Sequence, residues 1–173
     1  VLILAGSDSG GGAGVQADLK SIAANGGYGM AVLTALTAQN TWGVRAVHVP
    51  PVEFLRAQLD AVSDDIVIDA VKIGMLADAD VIRAVGAWLA TVRPPVVVLD
   101  PVMVATSGDR LLDPDAERAL RDLLALSTLV TPNLAELAVL AGRDLADWND
   151  AISAAEQLSA EVGAAVLVKG GHL

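Results

Sequence analysis

Apolar runs of strand length alternate along the chain with longer stretches whose apolar residues recur at helical spacing. The first run, Val1 to Ala5, breaks into Gly6-Ser7-Asp8-Ser9-Gly10-Gly11-Gly12-Ala13-Gly14 and resumes as a helical pattern over 13–25 that Gly26-Gly27 stops. A second strand is predicted over 30–36 and a helix from Pro51 through Leu59 and Val62. A third strand over 66–73 ends in Gly74. Residues 79–92 read as a helix closed by Pro94-Pro95, and 96–99 as a fully apolar strand ending in Asp100-Pro101. Asp113-Pro114 caps the next helix, 128–131 is a short strand, and Pro132-Asn133 opens another helix. A last helix over 149–162 precedes a strand over 164–168 and the terminal Lys169-Gly170-Gly171-His172-Leu173.

Continuously apolar strands separated by helices predict an α/β domain whose parallel sheet is covered on both faces. Ligands in such sheets sit outside the carboxyl ends of the strands. The glycine-bearing and polar residues gather at those ends: the Gly6 turn, residues 37–40, Lys72-Gly74-Met75, Asp100-Pro101, Thr131-Pro132-Asn133 and Lys169-Gly170-Gly171. One site is expected there. The turn of five glycines and two hydroxyls between residues 6 and 14 promises backbone N–H groups open to a polar or anionic ligand. No internal repeat, low-complexity stretch or interdomain linker interrupts the pattern, so the 173 residues read as one domain.

Composition narrows the function classes. Hydrophobic residues make up 54% of the chain, yet no apolar run approaches the roughly 18–20 residues of a membrane span. Cysteine is absent, which removes disulfides, thiolate nucleophiles and cysteine metal sites within these residues and makes the cytoplasm the expected location. A net charge of −10 without a basic run disfavours nucleic acid and anionic membranes. Of the three lysines, Lys72 and Lys169 stand beside or near glycine at the ends of strand-like runs. The chain begins at Val1 rather than Met and carries no secretory signal pattern, so further residues are expected before it.

Each motif admits a plain structural reading beside a chemical one. A P-loop needs Gly-Lys-Ser/Thr where this chain has Ala13-Gly14-Val15-Gln16, and it is rejected. Gly12 to Ala17 fits the dinucleotide form G-x-G-x-x-A, but no acidic residue lies between Lys20 and Glu53 to hold a ribose. Asp100 is either a strand terminus or a carboxylate placed for a metal or a substrate hydroxyl. Asn133 and Glu136, three apart at a helix start, suit a capping pair as well as a binding face. Lys169 either snorkels from a buried strand or reaches phosphate. His48 reads as an edge-strand residue and shares no metal-ligand spacing with His172. The tryptophans are too far apart for a nucleic-acid stacking platform.

Six segments in order carry a more specific signal: 5–20 around the glycine turn, Thr34 to Thr41, Lys72-Ile-Gly-Met-Leu76, Asp100-Pro-Val-Met-Val104 with Ser107-Gly-Asp109, Thr131-Pro-Asn-Leu-Ala-Glu136, and Lys169-Gly-Gly-His172. Together they closely resemble the bacterial hydroxymethylpyrimidine/phosphomethylpyrimidine kinases of thiamine biosynthesis, and the resemblance covers essentially the whole chain. It implies a ribokinase-like three-layer α/β/α sandwich with a mostly parallel central sheet. It also implies transfer of the ATP γ-phosphate to 4-amino-5-hydroxymethyl-2-methylpyrimidine and then to its monophosphate.

The resemblance assigns residues as well. Gly6, Asp18, Gln39, Met75 and Val102 would line the pyrimidine pocket, with the Gln39 amide pairing with ring nitrogens and the amino group. Asp100, Thr131, Asn133, Glu136 and Lys169 would surround the nucleotide. Asp100 and Glu136 would hold Mg²⁺ through its waters, and Lys169 would meet the transferring phosphates. Family members continue beyond the Lys-Gly-Gly-His segment into a Gly-Thr-Gly-Cys anion hole, so a longer polypeptide is expected, its C-terminal part absent from this chain. Thr106 stands where some relatives carry Lys. A homodimer is implied. A pyridoxal kinase-like enzyme, a non-catalytic pyrimidine-binding fragment and a dinucleotide oxidoreductase remain the alternatives.

Overall fold

The computed structural model describes residues 1–103 and 114–170. Seven strands form one sheet in the order β3-β2-β1-β4-β5-β6-β7. They are β1 (Leu2–Asp8), β2 (Met30–Asn40), β3 (Gly43–His48), β4 (Val71–Ile73), β5 (Val97–Leu99), β6 (Leu129–Val130) and β7 (Ala165–Val166). All neighbours pair in parallel except β2 and β3, which are antiparallel. The helices are α1 (Gly14–Ala24), α2 (Val52–Ser63), α3 (Ala79–Val92), α4 (Pro114–Leu124), α5 (Leu134–Ala141) and α6 (Trp148–Val162).

Strand alternation sorts the core into two layers. Leu2, Leu4, Val71, Ile73, Val97, Leu99 and Val130 join the buried faces of α2 to α6 in one large cluster. Ile3 and Ala5 turn the other way and pack with Val15, Leu19 and Ile22 of α1. Register carries that second face onward through Lys72, Val98, Leu129 and Ala165, which are partly or fully exposed. The expectation of helices on both faces is met, with α1 covering the second face over β1 and β2, while over β4 to β7 that face stays partly open among the described residues. The physical reason is topological: α1 is the single helix whose apolar stripe lies against that side.

Several element boundaries differ from the sequence reading: the expected strand over 164–168 is reduced to 165–166 and that over 128–131 to 129–130, and three others differ more informatively. β1 runs on to Asp8 because its register shifts between Ala5 and Gly6, keeping Gly6, Ser7 and Asp8 paired with β2. Only 71–73 of the expected 66–73 strand is a strand; Ile66 and Ile68 pack on the core from an irregular connection, which apolar content alone cannot tell from a strand. β2 continues to Asn40 and turns back into β3, an edge strand largely open on its outer side. His48 lies at the end of that edge strand, as expected.

Candidate active site

The glycine turn is occupied from within. Asp8 sends its carboxylate back into the turn, where Oδ1 accepts from the Gly10 N–H at 2.7 Å and Oδ2 from the Gly12 and Ala13 N–H groups, each at 2.9 Å. Ala13 is the N-cap of α1 and has no capping side chain, so Asp8 supplies the cap from the strand. The anionic group expected in this turn is thus the protein's own. Burial pushes the Asp8 carboxyl up, but the N–H groups of Gly10, Ala13, Gly12 and Gly11 together hold it below the ordinary carboxylate value.

A testable pH dependence follows from that shift. A carboxyl lowered on folding stabilises fully above its unfolded value near ~4, and the contribution is lost as pH falls through the lower folded value. Asp8→Asn is expected to lose about 2 kcal/mol at pH 7, because an amide cannot accept from all of these donors. Its denaturant stability should also fall less steeply with acid than that of the wild-type protein. Parallel acid profiles for the two proteins would refute this role.

Beside the turn lies a cavity of about 360 Å³ at the carboxyl ends of the strands. Gly6, Ser7 and Gly14 form one wall, Thr37 and Gln39 of β2 another, and Gly74 and Met75 after β4 the next. Asp100 and Val102 after β5, Asn133 and Glu136 at the start of α5, and Lys169 after β7 complete it. The buried Thr34 hydroxyl donates to the Met75 carbonyl at 2.6 Å and ties the Met75 loop to β2.

The charged end of the cavity is built by long-range pairing. Lys169 Nζ lies 2.6 Å from Asp100 Oδ1 and 3.9 Å from Glu136 Oε2. Asn133 and Glu136 form a reciprocal capping box, each side chain accepting the other's backbone N–H at 2.8 Å. The capping and chemical readings of this pair hold at once, because Glu136 is buried yet faces the cavity. Burial raises its carboxyl above the ordinary value and nearby Asp100 adds to this; the Asn133 N–H, Lys169 and the Met103 N–H oppose it without cancelling it.

Of the residues singled out in the sequence, Gly6, Gln39, Met75, Val102, Asp100, Asn133, Glu136 and Lys169 line this cavity. Two do not. Asp18 stands behind the wall, where its Oδ2 accepts from Lys72 Nζ at 2.6 Å, so it is Lys72 that lines the cavity. Thr131 follows β6 and donates its backbone N–H to Leu99, away from the lining. An α1 carboxylate facing a sheet lysine satisfies a charge that would otherwise sit unpaired against the sheet, which explains Asp18. Thr37 and Lys72 were legible only as members of polar strand ends. The Ser107-Gly-Asp109 segment, Thr106, Gly171 and His172 lie outside the described residues.

The model of the family described as phosphomethylpyrimidine kinase matches residues 8–173. The chain belongs to the phosphomethylpyrimidine kinase family. It is 53% identical to the hydroxymethylpyrimidine/phosphomethylpyrimidine kinase of Rhizobium meliloti, over 99% of this chain and 65% of that protein. It is 58% identical to the thiamine biosynthesis multifunctional protein ThiED of Corynebacterium efficiens, over 100% of this chain and 24% of that one. The crystal structure of phosphomethylpyrimidine kinase from Clostridium difficile 630 superposes with a TM-score of 0.92 at 42% identity, covering 99% of this chain and 75% of that chain. The fold is accordingly ribokinase-like. The chain spans less than two thirds of the length of these curated relatives.

Proposed function

We propose that the polypeptide carrying these residues is a cytoplasmic, homodimeric kinase of thiamine biosynthesis. It would transfer the ATP γ-phosphoryl group to 4-amino-5-hydroxymethyl-2-methylpyrimidine, and in a second step to the resulting monophosphate. One observation carries the reading: a single cavity joins a neutral lobe of Gln39, Met75 and Val102 to a charged lobe of Asp100, Glu136 and Lys169. The neutral lobe suits a flat heterocycle with hydrogen-bonding edges. The charged lobe suits phosphate, where Lys169 supplies the positive charge that phosphoryl transfer concentrates on. In the first step the bond from the γ-phosphorus to the ADP oxygen breaks, a bond from the hydroxymethyl oxygen to that phosphorus forms, and the hydroxyl proton is released to solvent.

The carboxylates fit magnesium held through water. Both Asp100 and Glu136 face the cavity with oxygen donors, and both are already engaged, Asp100 by Lys169 and Glu136 by backbone N–H groups. An ion that keeps most of its waters and takes phosphate oxygens suits such partners better than one needing a full protein cage. Among the described residues no three acidic or histidine side chains gather around one point. When bound, magnesium neutralises charge on the phosphates.

The assay uses the full-length polypeptide with ATP and magnesium and follows mono- and diphosphate products by mass spectrometry. Absence of both products would overturn the reading, and preferred turnover of pyridoxal would move it to a pyridoxal kinase. Gln39→Leu should weaken pyrimidine binding by more than about tenfold, the worth of one to two lost hydrogen bonds, and leave nucleotide binding unchanged by calorimetry. Equal loss of both ligands would refute the assignment of Gln39 to the pyrimidine lobe.

A further inference from the structure

One amide clamps the end of β1 to α1. Gln16 Oε1 accepts from the Asp8 N–H at 2.9 Å, and Gln16 Nε2 donates to Ser7 Oγ at 2.7 Å. A backbone N–H can only donate, so the first bond fixes which end of the amide is which. The second bond then has one direction: the nitrogen donates and the Ser7 hydroxyl accepts.

A hydroxyl that accepts still carries its own proton. The Ser7 proton has no acceptor among the described residues, and Ser7 is half-buried in the wall of the cavity. A donor held in such a place is left for a ligand or water to satisfy. Its surroundings belong to the neutral lobe. Thr37 of β2 donates its hydroxyl to the Ser7 carbonyl at 3.0 Å, and at neighbouring Gly6 an added Cβ would stand 3.7 Å from Met75 Sδ.

We propose that Ser7 is a ligand-binding residue of the cavity, a neutral donor aimed by Gln16 at an acceptor atom of the heterocycle, either a ring nitrogen or the hydroxymethyl oxygen. This rests on the pyrimidine reading above. A neutral donor pairs with a neutral acceptor without burying a charge, which suits this lobe. Gln16 is outside the lining of the cavity, so it is a positioning residue that acts through Ser7.

Calorimetry on the full-length polypeptide tests this with 4-amino-5-hydroxymethyl-2-methylpyrimidine. Ser7→Ala should weaken binding about three- to tenfold, the worth of one neutral hydrogen bond, and leave nucleotide affinity unchanged, while Ser7→Thr should restore binding. Gln16→Glu separates positioning from packing. A glutamate of the same shape still accepts from the Asp8 N–H, but its other oxygen takes the Ser7 proton, so binding should fall as far as in Ser7→Ala. Added to Ser7→Ala, the same change should cost nothing more. The analogue 4-amino-2,5-dimethylpyrimidine, which lacks the hydroxyl, names the atom: a Ser7→Ala loss that persists with it assigns a ring nitrogen, and one that vanishes assigns the hydroxymethyl oxygen. The proposal is overturned by undiminished binding in Ser7→Ala or Gln16→Glu, by additive losses in the double variant, or by an equal loss of nucleotide affinity. A wild-type protein that does not bind the pyrimidine overturns the pyrimidine reading itself.

Discussion

Gly14→Ala is expected to destabilise the protein by about 2–5 kcal/mol and to abolish ligand binding at the cavity. Gly14 begins α1 with φ of +56°, and a Cβ there would stand 2.2 Å from the Gly6 carbonyl oxygen. The obstructing atom is backbone of a strand paired with its neighbours, so no rotamer change can relieve the clash. Gly6 and Gly14 both line the cavity, and forcing β1 and α1 apart would also pull the Asp8 carboxylate from the N–H groups it caps. Gly26→Ala is the control, because Gly26 has φ of +75° but nothing within 4 Å of an added Cβ. It should cost only the left-handed backbone term, about 1 kcal/mol. Denaturant unfolding of both variants, with pyrimidine titration of each, checks this, and equal losses would refute a steric role for Gly14.

Lys169→Met should lower the rate of phosphoryl transfer by roughly 10²–10³-fold while leaving pyrimidine affinity within about threefold. Lys169 is the cation between Asp100 and Glu136, and it stands at the opposite end of the cavity from Gln39 only by virtue of the long-range pairing that brings β7 beside β6. Its loss removes positive charge from the place where negative charge would be transferred and leaves two carboxylates facing one another. Single-turnover rates at saturating substrates, set beside calorimetric pyrimidine titration, separate the two effects. A rate within about fivefold of wild type would show that Lys169 serves the carboxylates structurally and not the transferring group.

Much of the frame was legible along the chain. The helices over 79–92 and 149–162 coincide with α3 and α6 to within a residue, because an apolar stripe, a capping carboxylate and a closing proline or glycine are all local signals. The ends of the central strands at Ile73 and Leu99 were legible for the same reason, and they pointed to the edge where the cavity opens. The boundaries that moved are those decided by a partner: β1 reaches Asp8 because β2 pairs with it, and β3 exists because β2 runs long enough to receive it.

The same division holds for the site. Residue types and their order carried the family resemblance, and eight of the marked residues do meet at one cavity. Asp18 and Thr131 do not, since which way a helix or strand residue faces is set by what packs against it. By itself the sequence determined the alternation of strands and helices, the polar edge and the residues capable of the chemistry, all of which depend on neighbours within a few positions. Only the tertiary structure decided that Asp8 fills its own glycine turn, that Lys72 replaces Asp18 at the wall, and that Lys169 meets Asp100 from 69 residues away. Those outcomes are balances of burial, charge and hydrogen bonding across elements, and no local pattern encodes them.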